Sequence, residues 1–299
     1  MVTAEEVAAI GRTLVDAAQP LPARFRALFT LRNLGGQAAV EWIGRAFGDG
    51  SALLKHELAY CLGQMQDEAA IPVLLRVLED TSQEPMVRHE AGEALGAIGN
   101  PGVLDVLKRY SEDPVVEVAE TCQLAVRRLE WLQENKQEPG GSPYLSVDPA
   151  PPAEETDVAK LRETLLDESR SLFERYRAMF ALRNLGGRAA ALALAEGLHC
   201  GSALFRHEIG YVLGQLQDEA CVPQLTAALR DPSQSPMVRH ECAEALGSIA
   251  HPSCLETLRA FAHDQERVVR ESCQVALDMY QYENSTQFQY ADGLCKLQA

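Results

Sequence analysis

An all-helical repeat fold, built twice over, is the architecture that this sequence predicts. Three observations carry it. Slid against itself by 151 residues, the chain matches itself: Arg24–Gly36 reads RFRALFTLRNLGG and Arg175–Gly187 reads RYRAMFALRNLGG. Between Ala23–Glu68 and Glu174–Glu219, 25 of 46 positions are identical, and between Gln83–Ile98 and Gln234–Ile249, 12 of 16 are. Chance does not produce this, so the two halves are copies of one unit. Within each half, apolar residues recur with a helical period, and no segment shows the sustained two-residue alternation of a strand. Composition agrees: aromatics are only 6% and hydrophobic residues 46%, rich in the strong helix formers Ala and Leu.

Taken in order, the first half offers four principal helices. They are FRALFTLRNLG ending at Gly35, LKHELAYCLGQ ending at Gln64, VRHEAGEALGA ending at Ala97 and VEVAETCQLAV ending at Val126. Shorter helical runs lie between them at Ala69–Glu79 and Val103–Tyr110. Pro72 sits near the start of its run, where a helix tolerates proline. Gly99-Asn100-Pro101 and Asp113-Pro114 break the pattern between runs. The RNLGG segments at Arg32–Gly36 and Arg183–Gly187 predict helix ends with glycine in a left-handed cap. Helical pairs repeating at about 30 residues form an α-solenoid of the HEAT type, in which stacking buries faces that one hairpin cannot bury alone. The expected fold is therefore all-α, with two pseudo-symmetric halves of four helical hairpins each.

The expected domains are 1–132 and 157–282, both of HEAT repeats. Between them Gln133–Thr156 holds five prolines and two glycines and reads as a linker. Its 24 residues reach about 80 Å when extended, enough for the halves to face each other across a cleft. Residues 283–299 are less periodic and are expected to form a C-terminal tail.

Against 27 Lys and Arg stand 43 Asp and Glu, a net charge of −16. Such a chain repels nucleic-acid phosphates and draws in basic partners. No stretch approaches about 18 consecutive apolar residues, so no transmembrane helix is expected. The N-terminus is acidic early, without the basic start of a secretory leader. The eight cysteines form no CxxC pair and predict buried free thiols in the cytoplasm.

The chemistry lies in one dipeptide. His-Glu occurs at His56-Glu57, His89-Glu90, His207-Glu208 and His240-Glu241, taking four of the seven histidines. Each histidine precedes a Leu-Gly by six residues, and only the middle two repeats of each half carry the pair. Neighbouring helices of a stack lie about 8–10 Å apart, so equivalent positions face one pocket. Two histidines and two glutamates can then converge on one metal ion, once per half. Two imidazoles and a carboxylate with open positions suit non-haem iron that activates dioxygen, and zinc also accepts such ligands. No HExxH follows His56 or His89, so the zinc-peptidase pattern is absent. Glu93 and Glu244, one turn after His89 and His240, either support them from outside or stay solvated. Lys55, Arg88, Arg206 and Arg239, directly before the histidines, either pair with carboxylates or lie along the surface.

With two HEAT-type halves, a Pro-rich linker and four His-Glu pairs at matching positions, including VRHE at Val87–Glu90 and Val238–Glu241, the chain resembles the deoxyhypusine hydroxylase family over nearly its whole length. The resemblance implies a di-iron monooxygenase that converts deoxyhypusine to hypusine on translation initiation factor five-A, using O2. On that reading His56, His89 and Glu90 hold one iron, and His207, His240 and Glu241 the other. Glu57 and Glu208 are left to hold the substrate amines. Which glutamate of each pair is the ligand stays open in the sequence, because successive helical residues point about 100° apart. Two irons sharing oxygen about 3.5–4 Å apart require the two halves to meet face to face. Two other functions compete: a non-catalytic acidic scaffold for a basic protein, and a bilin lyase-like HEAT protein, for which the sequence offers no chromophore site.

Overall fold

The computed structural model describes residues 1–136 and 141–298, and among them every regular element is a helix, without a strand. The first half is four antiparallel hairpins: α1 (Ala4–Val15) with α2 (Leu21–Leu34), α3 (Gln37–Arg45) with α4 (Ala52–Met65), α5 (Ile71–Glu79) with α6 (Pro85–Ile98), and α7 (Leu104–Tyr110) with α8 (Val116–Asn135). The second half repeats them as α9 (Val158–Leu166) and α10 (Leu172–Leu185), α11 (Gly187–Glu196) and α12 (Ala203–Leu216), α13 (Val222–Arg230) and α14 (Pro236–Ile249), α15 (Cys254–Phe261) and α16 (Arg267–Glu283). A last short helix, α17, spans Gly293–Gln298.

Local chemistry sets the helix ends that matter for the site. The Ser51 hydroxyl accepts the Leu54 N–H at the start of α4, and Ser202 accepts the Phe205 N–H at the start of α12. Pro85 and Pro236 open α6 and α14, where no intrahelical N–H is needed. Gly35 and Gly186 close α2 and α10 at φ +67° and +68°, with ψ −172°. Their φ is positive as expected, but the extended ψ replaces the left-handed cap, because the chain must turn straight into the next helix at Gly36 and Gly187.

Packing explains the recurring Leu-Gly. A Cβ on Gly63 of α4 would stand 2.7 Å from Ala94 Cα of α6, and one on Gly247 of α14 would stand 2.6 Å from the Ala276 carbonyl oxygen of α16. The second helices of successive hairpins therefore touch backbone to backbone, which only glycine permits. Each close approach lies on the same helix as a His-Glu pair and places the pairs one above the other.

A repeated arginine clasp sets the height of these helices. Arg88, buried, donates from Nε to the Leu78 carbonyl of α5 at 2.9 Å and from Nη2 to Asp113 at 2.7 Å. Arg239 does the same with the Leu229 carbonyl at 2.9 Å and Asp264 at 2.6 Å, and Arg24 with the Leu14 carbonyl at 2.8 Å and Asp49 at 2.7 Å. Each clasp pins a second helix to the first helix of its own hairpin and to the loop ahead of the next. In the fourth copy Arg175 reaches the Leu165 carbonyl at 2.9 Å, but Cys200 stands where the others have aspartate. The Arg175 Nη2 is buried with no hydrogen-bond acceptor.

Two compact units emerge: Met1–Gln133 together with the chain from Gln287 onward, and Glu134–Thr286. In the stretch expected to be linker, residues 133–135 continue α8, and residues 137–140 lie outside the described residues. Further on, the stretch lies on α10. Asp148 receives Nη1 and Nη2 of the fully buried Arg183 at 2.9 and 2.6 Å, and the Ala153 N–H donates to the Arg177 carbonyl at 3.0 Å. Proline and glycine prevent a helix there without preventing docking. The expected tail likewise begins with the last residue of α16 and then folds onto α2 in the first unit. Arg26 donates to Gln287 Oε1 at 3.1 Å, the Tyr290 carbonyl at 3.2 Å and Asp292 at 3.1 Å, while the Gly293 N–H donates to Thr30 Oγ1 at 3.0 Å.

Candidate metal centre

Each half gathers one triad from two neighbouring helices. In the first, α4 carries His56 and α6 carries His89 and Glu90. The His56 Nε2 lies 2.9 Å from Glu90 Oε2, and the His89 Nε2 lies 3.5 Å from the same oxygen. The two rings are 5.4 Å apart and inclined by 38°. In the second half α12 brings His207 and α14 brings His240 and Glu241. His207 Nε2 is 3.0 Å and His240 Nε2 3.5 Å from Glu241 Oε2, and the two Nε2 atoms are 3.2 Å apart. The rings are 5.2 Å apart, again at 38°. His89 and His240 are fully buried, and His56, Glu90, His207 and Glu241 are nearly so.

The other glutamates sit differently. Glu57 lies on the Nδ1 side of His56, 3.9 Å from that atom and away from the Nε2 that faces Glu90. Glu208 is buried on α12. The rotation of about 100° between successive helical residues separates Glu57 from His56, while Glu90 swings across to reach the neighbouring helix.

A second set of groups lies behind the rings. His240 Nδ1 lies 3.1 Å from Glu244 Oε2 of its own helix. His89 Nδ1 lies 3.2 Å from Thr121 Oγ1 of α8. Of the two alternatives the sequence leaves for Glu244, the fold places it beside the His240 ring and not in solvent. Thr121 had no signal of its own; only its match to Ser272, 151 residues on, could have marked the position. Arg88 and Arg239 pair with carboxylates, as above, and Lys55 with Glu84 at 2.8 Å, whereas Arg206 takes Gln234 at 3.1 Å and the Cys200 carbonyl at 2.6 Å.

The donor set fits a metal ion. Two atoms bound at about 2.1 Å to one ion stand about 3.0 Å apart on adjacent corners of an octahedron and about 3.4 Å apart in a tetrahedron. The spacings of 3.0, 3.2 and 3.5 Å in the second triad lie on that scale. The buried thiols on these helices are protonated in the metal-free chain. Burial, and then the Glu57 charge, raise the Cys61 thiol well above its ordinary value, and burial followed by Asp113 pushes Cys122 up to about 12. Burial, and then Glu241, raise Cys242 as well. Among the described residues, the groups whose ligand atoms lie close together consist of imidazole nitrogen and carboxylate oxygen, with no cysteine among them.

The fold and these paired triads define a HEAT-repeat protein, and a family model described as HEAT repeats matches residues 45–127 and 191–278. A PBS lyase HEAT-like repeat matches residues 174–200. Deoxyhypusine hydroxylase of Gallus gallus is 83% identical over 299 residues, covering all of both chains. That of Homo sapiens is 75% identical over 297 residues, covering 99% of this chain and 98% of the human one. Deoxyhypusine hydroxylase of Drosophila melanogaster is 58% identical over 300 residues, covering 100% of this chain and 99% of its own. A solved structure of human deoxyhypusine hydroxylase in complex with glycerol superposes with a TM-score of 0.92 at 76% identity, covering 93% of this chain and 96% of that one. The chain belongs to the deoxyhypusine hydroxylase family and is an enzyme of that family. Among the described residues no helix is long and apolar enough to cross a membrane.

Proposed function

We propose that this chain hydroxylates the deoxyhypusine side chain of translation initiation factor five-A to hypusine, with O2 and two iron ions. One oxygen atom enters a C–H bond and the other leaves as water, with two electrons and two protons taken up. Iron, when bound, supplies the dioxygen activation that acid and base side chains cannot provide. The observation that carries the reading is the duplicated buried triad, two Nε2 atoms and one carboxylate oxygen within 3.5 Å, in a chain of this family. His56, His89 and Glu90 would hold one ion, and His207, His240 and Glu241 the other.

The protein's own residues do the remaining work. Burial of both triads excludes water from the reacting centre, which strengthens every charge interaction inside it. Deoxyhypusine carries two amines that are cationic near neutral pH, and Glu57 and Glu208, which stand outside the triads, supply the carboxylates to hold them. The net charge of −16 steers a basic partner inward. Seven buried free cysteines are consistent with work in the reducing cytoplasm.

The test is iron quantification on the purified protein, followed by mass analysis of the factor after incubation in air with an added chemical reductant as the two-electron donor. Two irons per chain and the gain of one oxygen atom on the modified lysine are expected. Protein without stoichiometric iron would instead favour the acidic scaffold, and iron without oxygen transfer would refute the reaction.

A further inference from the structure

The two halves hold the same arginine in the same way and give it different company. Arg183, near the end of α10, has its guanidinium carbon 4.8 Å from the centre of the Phe180 ring and donates from Nε and Nη2 to Asn184 Oδ1 at 3.1 and 3.0 Å. Its counterpart 151 residues earlier is Arg32 on α2. Arg32 lies 4.7 Å from the Phe29 ring centre and donates from Nε and Nη2 to Asn33 Oδ1 at 3.2 and 3.1 Å. Ring and amide thus hold both guanidinium groups in one pose.

In the second half a stretch of chain sits on that pose. Asp148 accepts from both Nη atoms of Arg183 at 2.9 and 2.6 Å. Ser146 Oγ donates to Asp148 at 2.8 Å and accepts from Gln215 Nε2 at 3.0 Å, while the Tyr144 ring centre lies 4.6 Å from the guanidinium carbon. Arg183 is fully buried as a result. Further along the same stretch, the Pro151 and Pro152 carbonyls accept from Arg177 at 3.2 and 3.3 Å. In the first half the C-terminal residues serve Arg26, the counterpart of Arg177, and reach Thr30 through the Gly293 N–H. Among the described residues nothing repeats the grip of residues 144–148 on this side. Arg32 is half-buried there, and it forms no ion pair with a described residue.

The second half therefore shows what this arrangement recognises: an extended segment with a hydroxyl two residues before a carboxylate. Two parallel bonds from a guanidinium already held in place make a strong and directional contact, with little side-chain freedom left to lose. In a chain of net charge −16 a carboxylate is repelled over most of the surface, so one held arginine fixes where it lands. Gln64, the counterpart of Gln215, stands two turns, about 10 Å, beyond Glu57 on α4. Burial, and then Glu57, raise the Cys61 thiol while Arg32 lowers it, so both charges act on the same stretch of α4. We infer that Arg32, with Gln64 beside it, docks an extended acidic segment of the protein substrate and sets its register relative to Glu57. This rests on the substrate proposed above.

The test is calorimetric binding of the deoxyhypusine-bearing factor to the full chain, with kcat and KM measured in air with reductant. Arg32→Met is expected to raise Kd and KM about 10-fold, the low end for hydrogen bonds to a charged group, and to leave kcat unchanged. Arg32→Lys keeps the charge without the fork and should fall between. Arg12→Met, exposed on α1, removes the same charge elsewhere and should leave both constants alone. Acidic residues of the factor are then changed singly to their amides. One of them should weaken binding to wild type as Arg32→Met does, and should weaken binding to Arg32→Met no further.

An unchanged Kd in Arg32→Met, a loss matched by Arg12→Met, or a factor with no acid coupled to Arg32 would each overturn the inference. The scan can also be run against Arg32→Lys, so misfolding of the Met variant leaves the test decisive. Wild type that does not bind the factor overturns the proposed substrate itself, an outcome distinct from binding that ignores Arg32.

Discussion

Replacing Arg239 by Met keeps much of the side chain's bulk and removes its charge. Two bonds go with it, Nε to the Leu229 carbonyl at 2.9 Å and Nη2 to Asp264 at 2.6 Å. The guanidinium side chain is 5% exposed and the carboxylate 12%, so Asp264 is left in a largely dry place without its cation. Removing one member of a buried pair costs about 3–5 kcal/mol. Arg270 still contributes charge near Asp264, which puts the expected loss at the lower end, about 3 kcal/mol. For a folding unit of this size each kcal/mol moves Tm by about 2–4 °C, so a fall of roughly 6–12 °C is expected by calorimetry. The same change at Arg24 breaks the same clasp, to the Leu14 carbonyl and Asp49, on a helix that carries no His-Glu pair. Arg24→Met should therefore lose similar stability while keeping iron, and Arg239→Met should lose both, because α14 carries His240 and Glu241. Equal iron content in the two variants would refute the idea that the clasp positions the triad. The acid limb gives a second readout. Burial alone would raise the Asp264 carboxyl, but the hydrogen bond from Arg239 and the Glu266 N–H hold it below the usual carboxylate range, and Asp113 behaves alike beside Arg88. A carboxyl depressed in the fold stabilises above its unfolded value of about 3.9 and loses that stabilisation as pH falls through the folded value. Arg239→Met should flatten the Asp264 share of this acid loss.

Any of His56→Ala, His89→Ala, His207→Ala or His240→Ala is expected to lower iron content by metal analysis, since no neighbouring side chain replaces a lost Nε2; full occupancy in His89→Ala would overturn the ligand assignment. Glu57→Gln and Glu208→Gln should keep both irons and weaken binding of the deoxyhypusine-bearing factor, because an ammonium left without its carboxylate costs several kcal/mol. If they lose iron as His89→Ala does, they are ligands and Glu90 and Glu241 become the candidates for amine recognition. Cys200→Asp should complete the fourth clasp and raise Tm, since hydrogen bonds to charged groups contribute about 1.5–3 kcal/mol and the Arg175 Nη2 is buried without an acceptor. Truncation after Thr286 strips Arg26 of Gln287, Tyr290 and Asp292 and is expected to destabilise the first half, seen as an earlier melting step.

Whatever depends on a repeating local pattern was written in the sequence: the duplication, the helical hairpins and the His-Glu pairs in the middle repeats. Helical period and break residues are properties of neighbours along the chain, so no fold is needed to see them. Which carboxylate meets which imidazole is decided between helices. Glu57 and Glu90 are the same dipeptide residue, and Glu90 comes within 2.9 Å of the imidazole on the adjacent helix because α4 and α6 close to backbone contact at Gly63 and Ala94. Glu244 lies one turn from His240 on its own helix and was legible in the sequence, whereas the group behind His89 depends on the same packing. Thr121 lies 32 residues from His89 and is an ordinary helix residue until α8 stacks on α6. The C-terminal residues carry no period to read, and their place on α2 rests on Arg26, more than 260 residues away in sequence, so only the tertiary structure could assign it.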